Sequence, residues 1–227
     1  MSVVTPVLDV AAPMPVRASR ERVDVWQAAL ALDPSAAEAA LRMLCDAERA
    51  RAARLRVGAD RWVAARATLR RVLGGYLDLA PERVAFAVGT DGKPGLDRAR
   101  GMDLRFNLSH SGDVALVAVR LGHEVGVDVE MIRDGVDGAA IAADRFSARE
   151  RADLAERGVA LGREAFFRAW VRHEALAKAS GRGIASPARD CDAARFSVRE
   201  LNGISGCVAA VASTGDTWTV LRVRSGD

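Results

Sequence analysis

VGVDVE, Val125 to Glu130, is the stretch that decides how this chain folds. Its apolar and acidic residues alternate, which is the period of a β-strand. Asp128 and Glu130 therefore project from one face, and Val127 and Val129 from the other. Two carboxylates at i, i+2 repel unless a cation lies between them. Mg²⁺ suits such a place, since it takes one or two carboxylates and fills its octahedron with water or substrate phosphate. A solvated acidic face on an edge strand presents the same pattern, so the strand alone leaves both readings open.

Working outward, VALVAVRL (114–121) and LRFNLSH (104–110) also read as strands, and a short turn around Gly122 leads into VGVDVE. In FNLSHSGD (106–113), the small residues Ser109, Ser111 and Gly112 leave backbone N–H groups open to an anion, and His110 adds a donor. A polar β-turn has the same composition. A Ser/His nucleophilic pair is disfavoured because adjacent residues do not aim at each other, and the chain has no G-x-S-x-G elbow. Upstream, TDGKPG is a turn that carries Lys93, and VAFAV (84–88) is a strand. Residues 60–77 form a helix with Trp62, Ala65, Leu69, Val72, Leu73 and Tyr76 on one stripe, flanked by Arg61 and Arg66. VDVWQAAL (23–30) is a first strand. Asp33-Pro34-Ser35 opens a helix, with Ser35 as N-cap, expected to run to about Arg56 before Gly58 breaks it.

Downstream, 131–138 reads as a crossing between halves, and FSARERADLAERG (146–158) starts a helix. Ser147 and Glu150 form a capping box, which accounts for Glu150 structurally. WVRHEALAKASGRG (170–183) belongs to a helix over 164–180 that stops at a glycine. Trp170, Glu174 and Lys178 fall at i, i+4, i+8, along one stripe. A surface Glu174–Lys178 pair contributes only about 0.2–0.5 kcal/mol. The indole on the same stripe indicates a face that meets protein or ligand instead. A metal and a phosphate would satisfy that carboxylate and ammonium. RFSVRE, CVAAVA and TWTVLRV are strands of the tail.

This order makes an α+β fold of two similar halves, residues 1–122 and 123–227, the second carrying the acidic strand. The first 20 or so residues hold three prolines and are expected to be loose. The net charge of +3 is too small to indicate nucleic acid. Nine arginines against three acids between Arg42 and Arg71 are a local excess that suits phosphate, without the aromatics of a base-stacking platform. Cys45, Cys191 and Cys207 form no CxxC pair, so a thiolate zinc site is not expected. The odd cysteine count and the lack of a signal-peptide pattern point to a reducing, cytoplasmic setting. No apolar run is long enough for a membrane span.

Taken in order, GKP (92–94), FNLSHSGD, GVDVE, RFSARE (145–150) and WVRHEALAKASGRG resemble the phosphopantetheinyl transferases of the larger, pseudo-dimeric type. The resemblance covers Arg61 to Pro187. It implies two α+β subdomains in a pseudo-twofold arrangement, with the active site in the cleft between them. It implies coenzyme A as donor, Mg²⁺ (or Mn²⁺) as cofactor and an apo acyl or peptidyl carrier protein as partner. A serine of that carrier would attack the β-phosphate, and adenosine 3′,5′-bisphosphate would leave. By position, Asp128, Glu130 and Glu174 would hold the metal, and Lys178 would meet the pyrophosphate. Ser109, His110 and Lys93 would contact the nucleotide phosphates, and Arg61 would reach toward the 3′-phosphate. Glu150 would sit near the metal-bound water. Glu174 or Glu150 would accept the serine proton, directly or through water.

One position departs from the family's usual W-x-x-K-E, with His173 in place of the lysine. A phosphate contact there would be lost or become pH-dependent. A monomer is expected, since an internal pair of halves makes both walls of the cleft. The competing functions are a Mg²⁺-dependent nucleotide phosphohydrolase, a catalytically decayed carrier-binding homologue, and a nucleic-acid-binding protein.

Overall fold

Alternating valines and alanines pair into sheets, and the two long amphipathic segments cover those sheets as helices. The computed structural model describes residues 7–10, 17–88, 93–96, 102–156, 162–181, 194–215 and 217–225. Strands β1 (Val7–Val10), β2 (Arg22–Ala29), β5 (Leu104–Ser111), β6 (Val114–Leu121) and β10 (Thr219–Ser225) form one sheet, in the order β1-β10-β2-β6-β5. Strands β7 (Val125–Met131), β8 (Phe196–Leu201) and β9 (Cys207–Thr214) form a second sheet, in the order β7-β9-β8. A two-residue turn at Gly112 and Asp113 joins β5 to β6, with Gly112 at a φ of 56°. A small hairpin pairs β3 (Phe86–Val88) with β4 (Pro94–Leu96).

The two sheets pack face to face. Val23, Val25, Leu116 and Ala118 of the first meet Val125, Val127, Val129, Ala209 and Val211 of the second, around the buried Trp218. The opposite face of the first sheet, with Phe106, Val117 and Val119, is covered by Leu69, Val72 and Leu73 of α3 (Ala59–Leu77). The opposite face of the second, with Val208, Ala210 and Ala212, is covered by Phe167, Val171, Ala175 and Ala179 of α6 (Arg163–Ser180). Each half is thus a helix on a sheet, joined through a common core, the mixed α+β architecture expected from the order of elements. The last strand returns to the first sheet and lies between β1 and β2.

Several local expectations change. The segment 34–56 is two helices, α1 (Pro34–Arg42) and α2 (Asp46–Arg54). The N-cap of α1 is Asp33, whose carboxylate accepts the Ala36 N–H at 2.8 Å, and not Ser35. The break at residues 43–45 buries Leu44, and Glu48 accepts the Cys45 N–H at 3.0 Å. Helix α4 (Gly138–Arg145) was not expected; Asp137 caps it by accepting the Ala140 N–H. Helix α5 (Ala148–Glu156) follows the expected capping box, with Ser147 and Glu150 each accepting the other's N–H. Val7–Val10, expected to be loose, pairs in parallel with β10. Cys191 lies outside the described residues. Among the described residues, no helix is long and apolar enough to cross a membrane.

Of the arginine excess of 42–71, Arg66 and Arg70 turn inward and the other seven are exposed. Glu48 pairs with Arg66 and with Arg70, which is only 2% exposed. Burial pushes the Glu48 carboxyl up, but hydrogen bonds from Arg66, the Cys45 amide and Arg70 outweigh it and hold the group below its ordinary range. Because the folded value is depressed, this stabilisation is complete above the unfolded value and is lost as pH falls through the folded one. Glu48→Ala should cost about 3–5 kcal/mol by leaving Arg70 buried without its carboxylate. The loss relative to wild type should shrink as pH falls through the carboxylate range, measured by urea denaturation. A loss below about 1 kcal/mol at neutral pH would mean that this pair does not tie α2 to α3.

Candidate active site

The face of β7 that does not enter the common core carries Gly126, Asp128 and Glu130, and it looks at α6. Gly126 sets the approach. A Cβ built there would fall deep inside the van der Waals radii of the Ala175 carbonyl oxygen and the Ala179 nitrogen. Without a side chain at 126, α6 lies directly on the strand. Glu174 and Lys178, one turn apart on the helix, are then level with Asp128. Lys178 Nζ donates to Asp128 Oδ1 at 2.5 Å and to Ser109 Oγ at 3.1 Å. Trp170, the third member of the stripe, stacks with Phe146 and Phe166 and fixes the helix from its other end.

A second constraint comes from β5. Asn107, Ser109 and Ser111 share one face of that strand, and alternate N–H groups of β7 share its free edge. Asn107 Oδ1 accepts the Val127 N–H at 3.0 Å, Ser109 Oγ the Val129 N–H at 3.4 Å, and Ser111 Oγ the Met131 N–H at 3.1 Å. The two sheets are therefore stitched by side chains where no backbone ladder joins them. The serines also donate. Ser109 Oγ donates to Asp128 Oδ1 and Ser111 Oγ to Glu130 Oε2, each at 2.8 Å. Asn107 was not singled out from sequence, and Ser111 only as a small residue beside open backbone N–H groups, although the period-two spacing N-x-S-x-S was the available signal for the stitch.

Electrostatically the site is overloaded with negative charge. Asp128 and Glu174 are 3% and 4% exposed. Burial pushes the Glu174 carboxyl up first, and the Asp128 charge pushes it further. Glu130 is raised by burial, and the Asp128 charge adds to that. Asp128 Oδ2 and Glu174 Oε1 are buried and accept no hydrogen bond. Each unsatisfied buried acceptor costs roughly 1–3 kcal/mol. Two orphaned carboxylate oxygens fit a divalent cation. Among the described residues, no three His, Cys, Asp or Glu side chains meet in a ready-made coordination shell. A bound ion would thus rest on one or two carboxylates and take its other ligands from water or phosphate.

The remaining expected residues are distributed around this centre. Ser109 and His110 are neighbours in β5 and point to opposite faces, Ser109 buried against Asp128 and His110 exposed. Partial burial and then the Lys178 charge push the His110 imidazole down. Arg61, in the first turn of α3, donates to Asp113 at the tip of the β5–β6 hairpin, at 2.7 Å. Lys93 is bonded to Glu124 Oε2 at 2.8 Å and to the Val125 and Ala179 carbonyls at 3.2 Å, bracing the C-terminal end of α6 against the start of β7. Glu150 caps α5 and also accepts from His173 Nδ1 at 2.9 Å, with the proton placed on that nitrogen. Burial raises Glu150, but the His173 bond and the Ser147 amide outweigh it and hold the carboxyl low. Gly92, Arg182 and Gly183 of the expected motifs lie outside the described residues.

Residues 124–217, the span holding β7 to β9 and α6, match the 4′-phosphopantetheinyl transferase superfamily. The chain is 39% identical over 171 residues to the 4′-phosphopantetheinyl transferase HetI of Nostoc sp., covering 70% of this chain and 72% of that protein. It is 37% identical over 122 residues to the 4′-phosphopantetheinyl transferase AcpT of Escherichia coli, covering 54% and 58%. It is 29% identical over 172 residues to the 4′-phosphopantetheinyl transferase psf-1 of Bacillus pumilus, covering 76% and 66%.

Two glycines separate the site from the scaffold in a test. A Cβ at Gly126 meets α6 backbone, whereas a Cβ at Gly138 meets the Phe166 ring, away from the carboxylates. Gly126→Ala and Gly138→Ala should each lower stability by about 1–3 kcal/mol. Only Gly126→Ala should also weaken Mn²⁺ binding in equilibrium dialysis, by lifting Glu174 from Asp128. Equal Mn²⁺ affinity in the two variants would refute the role given to the β7–α6 approach.

Proposed function

This chain belongs to the 4′-phosphopantetheinyl transferase family, and we propose that the cleft between β5, β7 and α6 is where it uses coenzyme A. The enzyme transfers phosphopantetheine to carrier proteins. The observation that supports the site assignment is the pair of orphaned oxygens, Asp128 Oδ2 and Glu174 Oε1, buried beside Lys178.

Asp128 and Glu174, with Glu130 alongside, would hold Mg²⁺ or Mn²⁺. When bound, the ion would neutralise diphosphate charge and favour departure of the nucleotide. Lys178 is turned inward by Asp128 and Ser109, so its ammonium is fixed where a pyrophosphate oxygen can replace one of those partners. His110 and Arg61, on the exposed side of the β5–β6 hairpin, are proposed to meet the outer phosphates. Lys93 would do so by giving up Glu124, and Ser109 through the hydroxyl it shares with Lys178. The carrier serine oxygen bonds to the β-phosphorus, the bond from that phosphorus to the bridging oxygen breaks, and adenosine 3′,5′-bisphosphate carries that oxygen away. The serine proton passes to a carboxylate. Glu150 suits this step because its neighbours favour its ionised form, whereas Glu174 would be engaged as a ligand of the metal.

The direct test is to incubate the protein with coenzyme A, Mg²⁺ and a panel of apo acyl and peptidyl carrier proteins. The expected result is a mass gain of one phosphopantetheine arm on the carrier, with one adenosine 3′,5′-bisphosphate released per arm. Nucleotide release that does not need a carrier would instead identify a phosphohydrolase.

Glu174→Gln should abolish transfer and stabilise the metal-free protein by on the order of 1 kcal/mol, raising Tm by roughly 2–4 °C. The sign follows from the raised carboxyl: the folded state holds that proton more tightly than the unfolded one, so wild type regains stability as pH falls through the folded value. The Tm gap between variant and wild type should therefore close toward acid pH. A variant that is less stable than wild type at neutral pH would rule out the charge conflict.

A further inference from the structure

The serine that follows the expected phosphate contacts has a task of its own. Ser111 is 8% exposed and its hydroxyl is doubly engaged, donating to Glu130 Oε2 and accepting the Met131 N–H. Glu130 has a competing partner. Arg133, more than half exposed, lies 3.5 Å from the same Oε2, so that oxygen is shared between a buried hydroxyl and a longer, solvent-side ion pair. The side chain of Glu130 has three rotatable bonds and is the least buried of the three site carboxylates. With the Ser111 bond it is held on the β5 side of β7, alongside Asp128; without it, the opposite charge on Arg133 is the strongest partner left.

We propose that Ser111 is a positioning residue, whose hydroxyl keeps Glu130 turned to the carboxylate cluster against the pull of Arg133. This rests on the metal role proposed for Asp128, Glu174 and Glu130. A residue that orients a metal-holding carboxylate typically changes metal affinity 10–100-fold when removed. The stitch between β5 and β7 supplies its own control, because Asn107 makes the same kind of bond to the β7 edge and touches no carboxylate in it. Both residues hold the sheets together, and only Ser111 also holds an acid.

The test measures Mn²⁺ affinity by electron paramagnetic resonance, with coenzyme A and carrier protein absent, alongside Tm. Asn107→Ala should lower Tm and leave Mn²⁺ affinity within about twofold. Ser111→Ala should lower Mn²⁺ affinity at least about tenfold. Adding Arg133→Ala to Ser111→Ala should recover part of that loss by removing the competitor. Equal affinity in wild type and Ser111→Ala, an equal loss in Asn107→Ala, or no recovery with Arg133→Ala would each overturn the positioning role while leaving the metal assignment standing. A wild type without a Mn²⁺ site would overturn the metal assignment and this inference together.

Discussion

Strand β7 is held from two directions at once, and the site depends on that double constraint. Along its edge, Asn107, Ser109 and Ser111 take the N–H groups that β9 leaves unpaired. On its outer face, the bare Cα of Gly126 lets α6 settle at backbone distance. The first constraint fixes the strand relative to the N-terminal sheet, and the second fixes the helix relative to the strand. Asp128, Glu130, Glu174 and Lys178 come from separate elements, yet their relative positions follow from these two contacts. An exposed edge would otherwise be a template for another strand. Here side chains cover it, and two of the covering groups, Ser109 and Ser111, also bond to the acids.

The same arrangement stores a charge conflict. Two buried carboxylates with orphaned oxygens, and a third nearby, are poorly compensated by one ammonium. Two other buried carboxylates are satisfied: Glu48 faces Arg66 and Arg70, and Asp24 accepts both Arg22 and the Tyr76 hydroxyl. The contrast separates scaffold from site. At Glu48 the neighbours lower the carboxyl, while at Glu174 burial and a like charge raise it. Opposite displacements within one small protein set the satisfied scaffold carboxylate apart from the one for which metal binding is proposed.

Much of this was legible in the sequence because two periods dominate it. Alternation in VGVDVE separated the core valines from the acids, and the core and site faces of β7 divide that way. The i, i+4 spacing of Trp170, Glu174 and Lys178 marked one helical stripe, and α6 presents it as expected. What stayed hidden had weaker local signals. Helix α4 is short, and its opening Gly138 resembles a loop until Asp137 is recognised as its cap. The break between α1 and α2 is a tertiary effect, since Glu48 must cap Cys45 and also reach Arg66 and Arg70. Strand β1 needs β10, more than 200 residues away, to exist at all. The stitching role of Asn107 and Ser111 follows from the period of β5 only once β7 is known to lie beside it.

His173 shows how a departure in sequence can be absorbed by geometry. The ring is 3% exposed and lies against Phe146 and Trp170, with centroids 5.2 Å and 5.9 Å away. A planar side chain fits that aromatic layer and still reaches Glu150 with Nδ1. A lysine would bring a flexible stem and three donors to the same place, with more rotamer freedom to lose and no ring to stack. In this chain, therefore, residue 173 faces inward to a carboxylate that also caps α5. Through that bond α6 fixes both Glu174, by carrying it, and Glu150, by carrying its partner. The cation expected at this position for a phosphate gives way to a fixed carboxylate, and the proposed phosphate contacts fall to Lys178, Lys93, Ser109, His110 and Arg61.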